Sequence, residues 1–252
     1  MNTGICIVPV SPLRSEASHK TEMVSQLLFG ELCVFIEEKP NWIKVKCSYD
    51  NYEGWCQSSH VTDLPETIEP KNVLLSDGWI SEIIFDGQSM QIPMGSSLHT
   101  LKNVPGKLDR YSIEYKGNEY APSQADYDDI KKRALLFLNV PYLWGGKSVF
   151  GIDCSGFCQT IYKFCDIRLK RDAHQQAEQG EVLEFLQDAR VGDLAFFDNE
   201  ERRIIHVGIL LNDHEIIHAS GKVRIDKIDK EGIINTDTGE RTHKLRIIKR
   251  YF

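Results

Sequence analysis

The chain changes its patterning once, near Ser123, and this switch constrains the fold more than any other feature. Before it, short apolar segments are broken by turn residues. Leu32-Cys33-Val34-Phe35-Ile36 and Trp42-Ile43-Lys44-Val45-Lys46 are rich in strand formers, with the turn signal Lys39-Pro40-Asn41 between them. Gly54-Trp55-Cys56 opens a third strand, and this spacing predicts a small all-β domain over residues 1–64. Pro65 and Pro70 lead into a second β-rich stretch, 65–122. There Ile83-Ile84-Phe85 and Met90-Gln91-Ile92 flank the hairpin signal Asp86-Gly87, and Gly95, Pro105 and Gly106 punctuate the rest. Two successive small barrels are predicted.

After Ser123 the helical period comes first. Ser123 suits an N-cap, acids crowd Asp126 to Asp129, and Ile130, Ala134, Phe137 and Leu138 share a face. A Trp144-Gly145-Gly146 turn precedes a second helix from Cys154 to about Cys165, whose apolar positions are Phe157, Ile161, Phe164 and Cys165. A polar stretch leads to strands at 193–197, 204–211, 215–219 and 245–251. Helices followed by an antiparallel sheet make residues 123–252 an α+β domain.

Bulk properties exclude some roles. A formal net charge of -7 gives no basic footprint for nucleic acid. No stretch approaches the roughly 18 consecutive apolar residues of a spanning helix, so no membrane insertion is expected. The first ten residues lack a basic head and a full signal core. A cytoplasmic location is therefore expected, or a periplasmic or secreted one if a signal has been removed. Seven cysteines without a dense framework favour a reducing compartment. Cys154-x-x-x-Cys158 is not a zinc knuckle, so no metal or other cofactor is expected. A monomer is expected.

Gly151-Ile152-Asp153-Cys154-Ser155-Gly156-Phe157 places a thiol in the first turn of a helix. Free backbone N–H groups and the helix dipole there favour the thiolate, the reactive form, and can also hold an oxyanion. The competing reading is a buried inert thiol, which fits Cys158 and Cys165 better.

A cysteine nucleophile needs a base and an orienting partner. Ile204-Ile205-His206-Val207-Gly208-Ile209 is an apolar strand with one ionisable residue, and Ile216-Ile217-His218-Ala219-Ser220 repeats the pattern. The two histidines share a sheet face only if the connecting loop has odd length. A three-residue loop, Asn212-Asp213-His214, would set them diagonally, roughly 7–8 Å apart in the backbone. A metal reading would group His206, His218 and Asp193 but leaves Cys154 unused. His174, His214 and His243 read as solvated.

Pro141-Tyr142-Leu143-Trp144-Gly145-Gly146 followed by Asp153-Cys154-Ser155-Gly156-Phe157 resembles the two signature blocks of the NlpC/P60 cysteine peptidases. Ile205-His206-Val207-Gly208-Ile209 and Gly192-Asp193-Leu194-Ala195-Phe196-Phe197 resemble two more. The resemblance implies a papain-like catalytic domain with Cys154 as nucleophile, His206 as base and His218 as orienter. It gives Tyr142 the oxyanion, with interior packing as the alternative, and leaves Asp193 structural. With two bacterial SH3-like domains ahead of it, the chain is similar to γ-D-glutamyl-L-diamino acid endopeptidases of cell-wall recycling. Such enzymes act through a thioester on murein peptides (L-Ala-γ-D-Glu-diamino acid) with a free L-Ala.

On the substrate side, the resemblance places Trp144 in the cleft wall and Ser155 among the binding residues. Arg171 would meet a substrate carboxylate and Asp172 the diamino side chain. Asp153 either pairs with an ammonium or caps its own helix. Glu22 and Tyr52 of the first domain are expected to recognise the amine. Ala173 stands where relatives carry serine, which opens the question of specificity. Two other functions keep the same residues in view: a papain-like acyltransferase or deamidase, and a non-catalytic wall-peptide binder.

Overall fold

The computed structural model describes residues 2–64, 73–98, 112–123 and 127–252. Pro65, Pro70, Pro105, Gly106 and Asp126, which the sequence reading uses as punctuation or as a helix start, lie outside these residues. The chain divides into two compact units. One comprises Met1–Pro122 with Trp144–Val149, the other Ser123–Leu143 with Phe150–Phe252.

In the first unit, seven strands between Thr3 and Leu64 form one antiparallel sheet. Trp42–Cys47 pairs on one side with Leu32–Lys39 and on the other with Glu53–Gln57. The apolar faces of these strands meet in a core of Cys6, Leu13, Leu27, Cys33, Ile43, Val45, Cys47, Cys56 and Val61. Further along, Ile80–Phe85 and Gln88–Pro93 form the hairpin announced by Asp86-Gly87. Both turn residues adopt positive φ, 51° and 74°, as a two-residue turn of that type requires. The two β-rich stretches share a core: Phe29 packs with Ile83, Ile92 and Leu98. Both lie within the same compact unit.

Trp144–Val149 also belongs to this unit, although its sequence neighbours do not. The Trp144 indole N–H donates to Glu22 Oε1 at 2.6 Å, and the Lys147 amide donates to Gln26 Oε1 at 2.8 Å. Lys147 Nζ lies 3.6 Å from Glu31, both side chains buried. Gly145 has φ +77°, and a Cβ there would lie 2.4 Å from the Met23 carbonyl oxygen, so only glycine fits this turn.

In the second unit, the helix Tyr127–Leu136 packs near the helix Cys154–Lys163, with Phe137 edge-on to Phe157 at 5.8 Å between ring centroids. The sheet runs Glu181–Leu183, Arg241–Arg250, Leu194–Asp198, Ile204–Leu210, Glu215–Ser220, Lys222–Asp229, Gly232–Ile234. Arg241–Arg250 also pairs with Gly232–Ile234, which closes six of the strands into a barrel. The strand Lys222–Asp229 is not announced by the sequence pattern. Its apolar residues Val223, Ile225 and Ile228 break the two-residue period, because polar Asp226 takes an inward position. The fold is α+β, as expected.

Candidate active site

Cys154 is the first residue of its helix, and Asp153 is the N-cap. Asp153 Oδ1 accepts the Gly156 amide at 2.7 Å. Capping is thus the observed role of Asp153, and Arg171 shares its carboxylate. Arg171 donates to Asp153 Oδ1 at 3.0 Å, to Oδ2 at 2.5 Å and to Ser155 Oγ at 2.9 Å, and is itself 1% exposed. Arg171 is expected to meet a substrate carboxylate and Asp153 to pair with an ammonium or cap its helix; the structure joins them in one buried two-pronged ion pair at the start of the Cys154 helix. Asp172, half-buried, caps the short helix Ala173–Gln176, its amide 3.4 Å from the Gln175 side-chain oxygen.

The environment of the thiol departs from the dipole argument. Burial, reinforced by the Asp153 charge, pushes Cys154 up to about 12. Backbone N–H groups of Val207 and Ser155 and the Arg171 cation work in the opposite direction without winning. Desolvation of a charge outweighs a helix terminus when the sulfur is buried. The resting thiol therefore keeps its proton. Burial similarly holds Tyr142 well above the ordinary phenol range, assisted by Cys154 and Asp153, so its hydroxyl keeps its proton and can donate.

Val207 N is two bonds from His206 Cα, so its hydrogen bond to the sulfur sets Cys154 beside the His206 backbone. His206 Nε2 lies 2.8 Å from His218 Nδ1, and His218 Nε2 lies 3.0 Å from Asp226 Oδ2. The loop between the two histidines has three residues: Leu211 N bonds to Glu215 O, and Gly208 faces His218, which leaves His206 diagonal to it. Gly208 is required there, because a Cβ would lie 2.8 Å from His218 Cβ. Burial, then His218 and His243, hold His206 well below the ordinary imidazole range. Thiol and imidazole are thus both neutral at rest.

Two residues of this cluster escape the sequence reading. Asp226 sits on the unrecognised strand, two positions along from the partner of His218. Burial would raise its carboxyl. Hydrogen bonds from His218, Arg224 and the Thr236 amide overcome this and hold it far below the usual carboxylate range. His243 is not solvated: its ring stacks on His206 at 4.2 Å and 25°. Burial, then His218, bring it down to about 4. Asp193, by contrast, pairs with Arg250 at 2.7 and 2.8 Å, as a structural residue would, and this removes it from any metal set with the histidines. Among the described residues no group of three or more metal-binding side chains is arranged to hold an ion.

Of the remaining expected contacts, Trp144 and Glu22 bond to one another within the first unit. The Tyr52 ring packs against the core of the first sheet.

Comparison with known proteins agrees with this architecture. The sequence pattern of the NlpC/P60 family matches residues 139–242, and that of the bacterial dipeptidyl-peptidase SH3 domain matches residues 13–61. The chain is 26% identical over 257 residues to a Bacillus cereus protein named gamma-D-glutamyl-L-lysine dipeptidyl-peptidase, covering 90% of this chain and 77% of that one. It is 34% identical over 114 residues to a probable endopeptidase of Haemophilus influenzae, covering 44% of this chain and 70% of the relative. A crystal structure of an NlpC/P60 family protein from Bacillus cereus superposes with a TM-score of 0.79 at 20% identity, covering 99% of both chains. With a helix-borne cysteine, a histidine pair across one hairpin and these matches, the chain belongs to the NlpC/P60 family.

Proposed function

We propose that this protein is a cysteine peptidase that hydrolyses the bond between γ-D-Glu and a diamino acid in murein peptides carrying a free N-terminal L-Ala. The observation that carries the reading is the line Asp226–His218–His206, which ends one residue from the backbone amide bonded to the Cys154 sulfur. A binding module has no use for a buried base aligned in this way.

The chemistry follows from two neutral partners. As the substrate carbonyl arrives, the Cys154 proton passes to His206 and the sulfur attacks the carbonyl carbon. The developing oxyanion is met by the Tyr142 hydroxyl. His206 returns the proton to the departing amine, leaving a thioester on Cys154, which water then hydrolyses by the same route. The Arg171–Asp153 pair keeps the helix start rigid throughout. The name of the Bacillus relative supports a γ-D-glutamyl substrate, and lysine as one candidate diamino acid.

The test uses L-Ala-γ-D-Glu-diaminopimelate, its lysine counterpart and the N-acetylated form of each, with products read by mass spectrometry. Cleavage restricted to the free-amine peptides is expected. Cleavage of none would favour the binder or the acyltransferase reading. Equal cleavage of the acetylated forms would remove the requirement for a free amine.

A further inference from the structure

We propose that Asp226 is a positioning residue that sets the tautomers of both active-site histidines, so that the bare ring nitrogen of His206 is its Nδ1, left to take the Cys154 proton. The inference rests on the peptidase reading for its kinetic consequence, though not for its structural one.

Asp226 is 2% exposed, and Oδ1 accepts from Arg224 Nη2 at 2.8 Å and from the Thr236 amide at 2.9 Å. A cation and an amide on one oxygen keep the group ionised, and an ionised carboxylate only accepts hydrogen bonds. Asp226 Oδ2 lies 3.0 Å from His218 Nε2, so the hydrogen in that contact sits on Nε2. A neutral imidazole with Nε2–H has a bare Nδ1. His218 Nδ1 is 2.8 Å from His206 Nε2, so His206 must donate there, and its own hydrogen is fixed on Nε2. His206 Nδ1 is left as a lone pair. With His218 neutral, each step follows from the one before it, and the first is set by Asp226.

Three other ionisable groups bear on the pair. His243 stacks on His206 and lies edge-on to His218 at 5.9 Å between centroids, and it stays neutral above about 4. Arg224 reaches Asp226 and Asp237, so its charge is matched locally. Cys154, whose sulfur accepts from the Val207 amide next to His206, carries a thiol. When its proton moves to His206 Nδ1, His206 becomes an imidazolium that still donates through Nε2. No other proton on the line need move.

The opposite arrangement would disable the base. If His218 carried its hydrogen on Nδ1, it would donate to His206 Nε2. His206 would then hold its own proton on Nδ1 and be unable to receive another there. Asp226→Asn permits this reversal, because an amide offers N–H where a carboxylate cannot. Asp226→Glu does not permit it.

The experiment is tautomer assignment by ring nitrogen NMR at pH 8 on full-length protein with labelled histidine, assigned by single histidine substitutions. It is paired with iodoacetamide alkylation of Cys154 and with kcat and KM. Expected in the wild type are Nε2–H tautomers on both His206 and His218. In Asp226→Asn, Nδ1–H forms are expected, with alkylation slowed and kcat lowered about 10²- to 10⁴-fold at little change in KM. Asp226→Glu should restore the wild-type tautomers and part of kcat. A wild-type His206 with Nδ1–H, or a His218 imidazolium at pH 8, overturns the proposal even if the variants fail to fold. A loss of kcat in Asp226→Asn with unchanged tautomers also overturns it and leaves Asp226 a structural residue. The NMR and alkylation need no substrate, so a protein that cleaves none of the peptides would defeat the peptidase reading without touching this one.

Discussion

The protein buries two kinds of thiol. Cys6, Cys33, Cys47 and Cys56 fill the core of the first β-sheet, and Cys154 heads a helix in the second unit. Burial pushes every one of them up. Exposure and titration therefore do not tell the proposed nucleophile from the other thiols. The neighbours do. Around the first group lie apolar side chains and one another, with isolated polar neighbours such as Ser11 beside Cys56 and Glu31 near Cys6. Around Cys154 lie two backbone donors, a guanidinium and a histidine pair anchored by a carboxylate. On the proposed function, the nucleophile is a buried thiol with a place to send its proton when substrate arrives.

The sharpest way to break this contrast is to remove sulfur from each group. Cys154→Ala should lower turnover by at least about 10³-fold with the fold retained. Cys33→Ala should leave turnover unchanged and cost about 1 kcal/mol of stability, read as a lower Tm. Retained turnover in the first variant would take Cys154 out of the reaction. The next largest effect concerns the place for the proton. In Gly208→Ala the new methyl would press on His218, and a displacement of that ring should reduce kcat about 10²-fold. Wild-type kcat would show that the His218 position is not critical.

A pH series tests the balance itself. Alkylation of Cys154, followed by mass spectrometry, should keep accelerating above pH 9, because its thiol is held up to about 12. A plateau near pH 7 would mean a resting thiolate–imidazolium pair and would reverse the ordering of burial over dipole. Stability carries the opposite sign. Burial keeps His206 and His243 neutral when folded, whereas their unfolded forms take a proton near the ordinary value of about 6.5. Above that pH neither contributes. Below it the unfolded state binds more protons, so Tm should fall as the pH drops from about 6.5 toward 4. His243→Phe should remove part of this loss and, by taking away one imidazole that disfavours charge on His206, move the acidic limb of kcat/KM to higher pH. An unmoved limb would separate His243 from the base electrostatically. The smallest effect is expected from Trp144→Phe, which deletes one exposed hydrogen bond to Glu22 and should cost at most about 1 kcal/mol of stability.

Much of this site is legible in the sequence because the relevant contacts are local or periodic. The Asp153 cap lies three residues from the amide it binds, and Asp86-Gly87 demands its hairpin. The pairing of His206 with His218 follows from parity once the loop is three residues long. Other features depend on which strands become neighbours. His243 is 37 positions from His206 in sequence, yet stacks on it because the strand Arg241–Arg250 closes the barrel.

The sequence by itself determined the proposed nucleophile, its proposed base and the change from β-rich to α+β architecture, because helix starts, strand alternation and turn chemistry act over a few residues. Only the tertiary structure decided that Asp226 anchors the histidine line, that Arg171 and Asp153 neutralise one another, and that the thiol rests protonated. The cost of desolvating a charge depends on everything packed around it, and a linear pattern does not carry that sum.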